Sequence, residues 1–108
     1  MYTVMVMYPN QEGGKFDIDY YRSVHMPLVE KHLKHFGLTA WEVLEGISGT
    51  GNDPAPYLGV GILYFESEDG YNQGVSEKAV ILRGDIPNFT NVTPVRLLSR
   101  VITERKSV

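Results

Sequence analysis

Apolar residues follow one another over residues 2–8, where Val4, Met5, Val6 and Met7 leave neither side of a strand polar. That is the pattern of a strand covered on both faces. The turn formers of residues 9–15 end it. From Phe16 the period changes to three and four, so that Ile18, Tyr21, His25, Leu28 or Val29, His32 and Phe36 share one face of a helix. Asp17 or Asp19 caps its start and Gly37 stops it. Residues 38–47 alternate partly, with Glu42 and Glu45 interrupting Trp41, Val43, Leu44 and Ile47, as in an edge strand. After a loop of turn residues over 48–56, residues 57–65 are again uncharged and predict a second central strand. Ser67, Glu68 and Asp69 open a second helix with Tyr71, Val75, Ala79 and Leu82 at helical spacing. Gly70 and Gly74 weaken that helix by roughly 1 kcal/mol each relative to alanine. Residues 84–94 are an irregular connection whose length favours a role in closing a site. A last strand over residues 95–103, carrying Arg96 and Arg100, is edge-like again.

Strand, helix, strand, strand, helix, strand, with the most apolar strands first and third, predicts an α+β fold. It is the ferredoxin-like βαββαβ sandwich, whose four-stranded antiparallel sheet has strands one and three in the centre. Two helices cover one face of such a sheet. Val4 and Val6 point one way and Met5 and Met7 the other, while Leu58, Val60 and Ile62 oppose Leu63 and Phe65, so the second face also needs cover. In so short a chain the available cover is another copy, which predicts a homodimer packed sheet face to sheet face.

A chain of 108 residues predicts one domain over residues 1–108, and 43% hydrophobic with 21% charged residues is the composition of an ordinary globular protein. The absence of cysteine excludes disulfides, thiolate zinc sites and cysteine nucleophiles. With a net charge of −3 and basic residues scattered outside a short tail over 100–106, there is no electrostatic footprint for nucleic acid. No charged leader, cleavage site or long apolar run is visible, so no membrane partner is expected and the expected location is cytoplasmic.

The chemistry concentrates in the first helix. Pro27 lacks the N–H that a helix interior needs and its ring crowds the carbonyl of Ser23, which predicts a kink or local reset beside His25. His25 itself has two readings, a core histidine bonded to a carbonyl or water, or a residue that lines a pocket. His32 and His35 are close enough to touch one ion, but His25 and His32 lie ~10 Å apart along a helix and no acid shares their face, so no metal is expected. Gly49-Thr50-Gly51 and Gly59-Val60-Gly61 lack the third glycine of a dinucleotide site, and there is neither a phosphate-binding lysine motif nor a serine in a nucleophile elbow. No cofactor is expected.

The set Phe16, Tyr20, Tyr21, His25, Pro27 and Leu28, spaced F-x-x-x-Y-Y-x-x-x-H-x-P-L with Met26 between, resembles the EthD family, named after a protein of ethyl tert-butyl ether degradation. Asp85-Ile86-Pro87-Asn88-Phe89 before the final strand is similar to the same family, so the resemblance spans nearly the whole chain. It implies a dimeric α/β barrel, an architecture shared with cofactor-free monooxygenases, ring-modifying enzymes of aromatic polyketides, muconolactone isomerases and haem-binding proteins. It also implies a ligand site inside each subunit, between helices and sheet, with His25 as general acid or base and Tyr20 or Tyr21 beside it. A histidine titrates near neutrality, and a tyrosine O–H can hold an enolate or phenolate. Tyr21 lies one turn before His25, close enough to share a ligand. Gly59 and Gly61 either leave space for a planar substrate or allow close helix approach, and Tyr57, Tyr64 and Phe89 are either walls of the site or plain core. The implied function is cofactor-independent proton transfer on an apolar cyclic or aromatic metabolite, of isomerase, dehydratase or oxygenase type. The alternative is a non-catalytic accessory or carrier in the degradation of a hydrophobic compound.

Overall fold

Four strands, β1 (Tyr2–Pro9), β2 (Leu38–Glu45), β3 (Tyr57–Phe65) and β4 (Val95–Arg100), form one antiparallel sheet in the computed structural model, which describes Met1–Val108. The order β2-β3-β1-β4 places the two uncharged strands in the middle. Between β1 and β2 runs α1, over residues 18–36; between β3 and β4 runs α2 (Glu68–Asp85), continued by a 3-10 turn (Ile86–Asn88). This is the expected α+β ferredoxin-like arrangement.

Pro27 resets the helix rather than bending it. Ile18–Tyr20 is α-helical, Tyr21–His25 is a π turn in which the Met26 N–H reaches the Tyr21 carbonyl, Met26–Leu33 is α-helical again and Lys34–Phe36 closes as a 3-10 turn. The wider turn absorbs the missing N–H and the ring of Pro27 just where it begins the next α segment. Asp17 caps the start by accepting the Tyr20 N–H, and Gly37, at φ 97°, ends the helix in the left-handed conformation that glycine adopts at little cost.

The strand register assigns each side chain to a face. Val4, Tyr8, Leu63 and Phe65 turn toward the helices and are buried with Tyr21, Met26, Val29 and Leu33. Met5, Met7, Val60 and Ile62 turn the other way, where nothing in the chain covers them; on the same face Leu44, Val95 and Leu97 are 45%, 47% and 49% exposed. β2 and β4 stop sooner than their alternation predicts because their partners end: the last bonds run from the Gly46 N–H to the Leu58 carbonyl and from the Val101 N–H to the Met1 carbonyl. The irregular connection is also shorter than expected, since α2 continues through Gly84 to Asp85.

Glycines set how closely the layers approach. A Cβ at Gly70 would strike the Phe36 carbonyl, and one at Gly74 would crowd Leu33 and Phe36, so the residues that weaken α2 intrinsically are those that let it lie against α1. On β3, a Cβ at Gly61 would collide with the Tyr21 hydroxyl and one at Gly59 with the Phe16 ring. Gly61→Ala therefore displaces Tyr21 and is expected to cost about 1–3 kcal/mol, read as a lower urea midpoint at unchanged slope. Gly84→Ala, whose added Cβ meets nothing within 4 Å, is expected to leave the midpoint equal or higher in the same assay.

Candidate active site

The π turn brings Tyr21 and His25 to the inner side of α1, 1% and 6% exposed. Their rings stack with centroids 5.6 Å apart and planes at 15°, and Phe89 packs on His25 at 4.6 Å, so the imidazole is held on two sides. Its third constraint comes from the end of α2. His25 Nδ1 lies 2.9 Å from Asp85 Oδ2, while Asp85 Oδ1 accepts from the Tyr20 hydroxyl at 2.6 Å and from Asn88 Nδ2 at 3.0 Å. The segment after α2 is itself stapled to the start of α1. The Thr90 hydroxyl donates to the Lys15 carbonyl at 2.6 Å, the Lys15 N–H to Asn91 Oδ1 at 2.8 Å and the Asp17 N–H to the Phe89 carbonyl at 2.8 Å. The expected closing role of this segment thus takes the form of a clamp that fixes Asp85 and Phe89 against His25.

Burial pushes the Asp85 carboxyl up, but the hydrogen bonds from Tyr20, Asn88 and His25 together outweigh it and hold the group below its ordinary 3.8. Asp85 is therefore ionised at neutral pH, and Nδ1 must be the donor in the His25–Asp85 bond. Burial lowers the His25 pKa from the ordinary 6.5; the bond and charge of Asp85 oppose that shift without overcoming it, and the charge of Arg96 reinforces it. The resting imidazole is neutral, protonated on Nδ1, with its lone pair on Nε2.

No protein group bonds Nε2, and His25 lines a partly open cavity of about 150 Å³ between the helices and the sheet. Val4, Val6 and Leu63 form its floor, Met26 and Val29 one wall, and Val75, Ala79 and Leu82 the other. Three hydroxyl-bearing rings, Tyr8, Tyr21 and Tyr71, line it as well, the first two on the side of His25. Burial pushes Tyr8 up to about 12, tempered by the Tyr21 hydroxyl and the charge of Arg96. Burial, then Tyr8, pushes Tyr21 further up. Both phenols stay protonated at physiological pH and serve as donors in an otherwise apolar space. Arg83 and Arg96 stand at the rim.

Of the residues singled out in the sequence, His25 and Tyr21 meet at this cavity. Tyr20 does not reach it; its hydroxyl serves Asp85, which raises its own pKa. Phe89 lies behind His25 in an aromatic cluster with Tyr8, Phe16, Tyr20 and Tyr21, not on the cavity wall. The space over Gly59 and Gly61 is filled by Phe16 and Tyr21, so close approach is the reading the structure supports there, and neither glycine faces open volume. Tyr64 belongs to the opposite face of the sheet, where its hydroxyl meets Glu42, because even positions of β3 point away from the helices. Tyr57, at the start of β3, lies off the cavity. Sequence reasoning missed Asp85, Tyr8, Arg83 and Arg96. Tyr8 was legible from its shared face with Val4 and Val6, whereas Asp85 and Arg96 become visible only through a contact 60 residues apart and a strand register.

No group of three or more His, Cys, Asp or Glu side chains is arranged to hold a metal ion. The cavity's volume suits one six-membered ring, as apolar cavities near 150 Å³ do. No helix is long and apolar enough to cross a membrane.

The protonation states fix a pH dependence. In the unfolded chain His25 binds its proton near 6.5 and in the folded chain only at lower pH, so its contribution to stability is complete above 6.5 and is lost as pH falls toward the folded value. Asp85, whose pKa is also depressed on folding, loses its contribution only at pH below 3.8. The melting temperature is expected to fall between about pH 7.5 and about pH 5 and to fall less in His25→Gln; equal slopes in the two proteins would refute the assignment of a buried neutral His25.

No family model and no curated protein matches the chain. Among solved structures it is similar to an EthD-like protein from Ralstonia eutropha JMP134, with 30% identity and a TM-score of 0.90 over 96% of this chain and 94% of that one. It is also similar to an ethyl tert-butyl ether degradation (EthD) family protein from Bacillus halodurans C-125, with 17% identity and a TM-score of 0.70 over 94% and 99%. A dimeric ferredoxin-like protein from an uncultured marine organism shares the fold at 10% identity, with a TM-score of 0.63 over 99% and 100%.

Proposed function

The chain belongs to the EthD-like family, and from that premise we propose that it binds a small apolar cyclic or aromatic metabolite between helices and sheet and moves a proton on it with His25. The observation that carries this reading is the imidazole itself. Nδ1 is tied to the ionised Asp85 and the ring is clamped by Tyr21 and Phe89, while Nε2, the free lone pair, belongs to a side chain that lines an apolar cavity. A base so oriented loses little freedom on reaction, and Asp85 stabilises the imidazolium it becomes.

On a ring carrying a carbonyl, Nε2 takes the proton from the adjacent carbon. The C–H electron pair passes into the ring and onto the carbonyl oxygen as an enolate, which a Tyr8 or Tyr21 hydroxyl meets with a hydrogen bond. Where the ring also holds a double bond between its β and γ carbons, the enolate extends over it, and return of the proton from Nε2 to the γ carbon moves the double bond into conjugation, an isomerisation that consumes no co-reactant. If the ring bears a β-hydroxyl, the enolate expels it and the Nε2 proton leaves with it as water. Dioxygen that reaches the enolate instead takes two electrons from it as a C–O bond forms, and the Nε2 proton completes a hydroperoxide. Tyr20 and Asn88 act as positioning residues through Asp85.

We propose further that the uncovered face of the sheet, with Met5, Met7, Val60, Ile62 and Leu97, packs on the same face of a second copy. Burying apolar surface that water would otherwise wet drives that association, and a self-complementary patch closes at two copies. Relatives of the same fold are described as dimeric ferredoxin-like proteins.

Three measurements check these proposals. Exchange of the α-protons of small cyclic ketones and unsaturated lactones in D₂O, followed by NMR, is expected to be accelerated by the wild type and slowed about 10²–10⁴-fold by His25→Asn at unchanged ligand affinity. Ligand binding without exchange would instead identify a carrier. In Asp85→Asn the carboxylate charge that raises the His25 pKa is gone, so the acidic limb of the rate profile is expected at lower pH. Light scattering is expected to give twice the chain mass for the wild type and the single mass for Ile62→Glu; a monomeric wild type would remove the dimer.

A further inference from the structure

Side chains that the proton-transfer site leaves unused stand at the rim of the cavity. Arg83, in the last turn of α2, and Arg96, on β4 opposite Val6, both border the His25 cavity and both also border the outer cleft beside Pro87 and Thr90. With Ile86 they are the residues that the two spaces share, so they form the neck between cavity and solvent. Neither guanidinium has a carboxylate within ion-pairing distance. The chain's two ion pairs are Arg22–Asp19 and His25–Asp85, and the Asp85 carboxylate is committed to Tyr20, Asn88 and His25. Arg96, though exposed, lies on the cavity side of the sheet. Its position across from Val6 places it on the helix face of β4, and its charge acts on Tyr8, Tyr21 and His25 together.

We propose that the ligand is an acid: a single-ring compound whose apolar body occupies the cavity and whose carboxylate is held at the neck by Arg83 and Arg96. This deepens the reading of the cavity as a ligand site and rests on it. Cavity volume limits the buried part to about one ring. Two cationic forks without partners, at the mouth of a largely apolar cavity, supply what that ring lacks. A planar guanidinium donates side by side to the two oxygens of a carboxylate and balances its charge where it leaves water, and a second adds further donors. In a chain of net charge −3, they also provide a local positive field that draws an anion to the mouth. The arrangement orients as well as binds. Anchoring the carboxylate at the neck sends the opposite end of the ring inward, toward Tyr8, Tyr21 and His25. The reacting carbon is thereby placed away from the acid group, and a neutral ring of the same size has no such anchor.

Isothermal titration calorimetry with benzoate and phenylacetate, against benzamide and benzyl alcohol as neutral rings of similar size, tests the proposal on the full chain and on Arg83→Gln, Arg96→Gln and the double variant. Wild type is expected to bind the acids at least about tenfold more tightly than the neutral rings, with an advantage that shrinks as salt rises. The advantage is expected to fall in each single variant and to within about twofold of unity in the double variant, while affinity for benzyl alcohol stays unchanged. Both arginines are exposed, so the variants fold, and an unaltered melting temperature verifies it. Equal affinity for acid and neutral ring, or an acid preference that survives the double variant, would overturn the assignment of the arginines and leave the cavity standing as a neutral-ligand site. Failure of acids and neutral rings alike would overturn the cavity reading and this proposal together.

Discussion

The carboxylate of Asp85 is the constraint on which the site depends. Its side chain is 12% exposed and that of His25 8%, so both groups have given up most of their water. A desolvated charge persists only where hydrogen bonds replace its hydration. Tyr20, Asn88 and His25 supply three donors from three directions. The ionised state of Asp85 then decides which imidazole nitrogen carries the proton, and hence that the free nitrogen is the basic one. Tyr20 and Asn88 therefore set the protonation of His25 without approaching the cavity.

Such an arrangement demands that the end of α2 and the start of α1 meet in one register, although they are distant in the chain. The structure meets that demand twice over. The clamp through Thr90, Asn91 and Phe89 binds the segment after α2 to residues 13–17, and the rings of Phe16, Tyr20, Tyr21 and Phe89 pack across the same junction at centroid distances of 5.0–6.2 Å. Aromatic packing at those separations is geometrically selective as well as apolar. Pro27 contributes by forcing the π turn, which rotates Tyr21 and His25 relative to a regular helix so that they stack rather than merely follow one another.

Periodicity made the architecture legible. Two uncharged strands, two capped helices and two interrupted edge strands left one sheet order compatible with burial, and the order found is that one. His25 and Tyr21 were also legible, because a histidine one turn from a tyrosine on an apolar face is visible in the pattern. Asp85 was not. A single acid at the end of a helix is ordinarily a solvated residue, and the family-like stretch it opens gave it no role; that role comes from a contact with a residue 60 positions earlier. Arg96 was read as the polar half of an edge strand for a similar reason. Only its register opposite Val6 shows that it lies on the helix face. Gly59 and Gly61 carried the opposite difficulty: absent side chains look like space, and only the approaching rings of Phe16 and Tyr21 reveal that the space is used.

The same two glycines explain how one strand serves two surfaces. Along β1, Val4, Val6 and Tyr8 line the cavity while Met5 and Met7 face the open side, and a slip of one residue against β3 would exchange the two sets. Strands that are apolar on both faces specify register weakly by hydrophobicity alone, since either set could be buried. Gly61 and Gly59 break that degeneracy. They pair with Val6 and Tyr8 and are positions where Tyr21 and Phe16 can descend onto the sheet; a shift by one would set Val60 or Leu58 beneath those rings and produce a clash. The register that admits the aromatic rings is also the one that turns Tyr8 toward the cavity and Arg96 toward its neck. Packing specificity and site chemistry are thus fixed by the same pair of missing side chains.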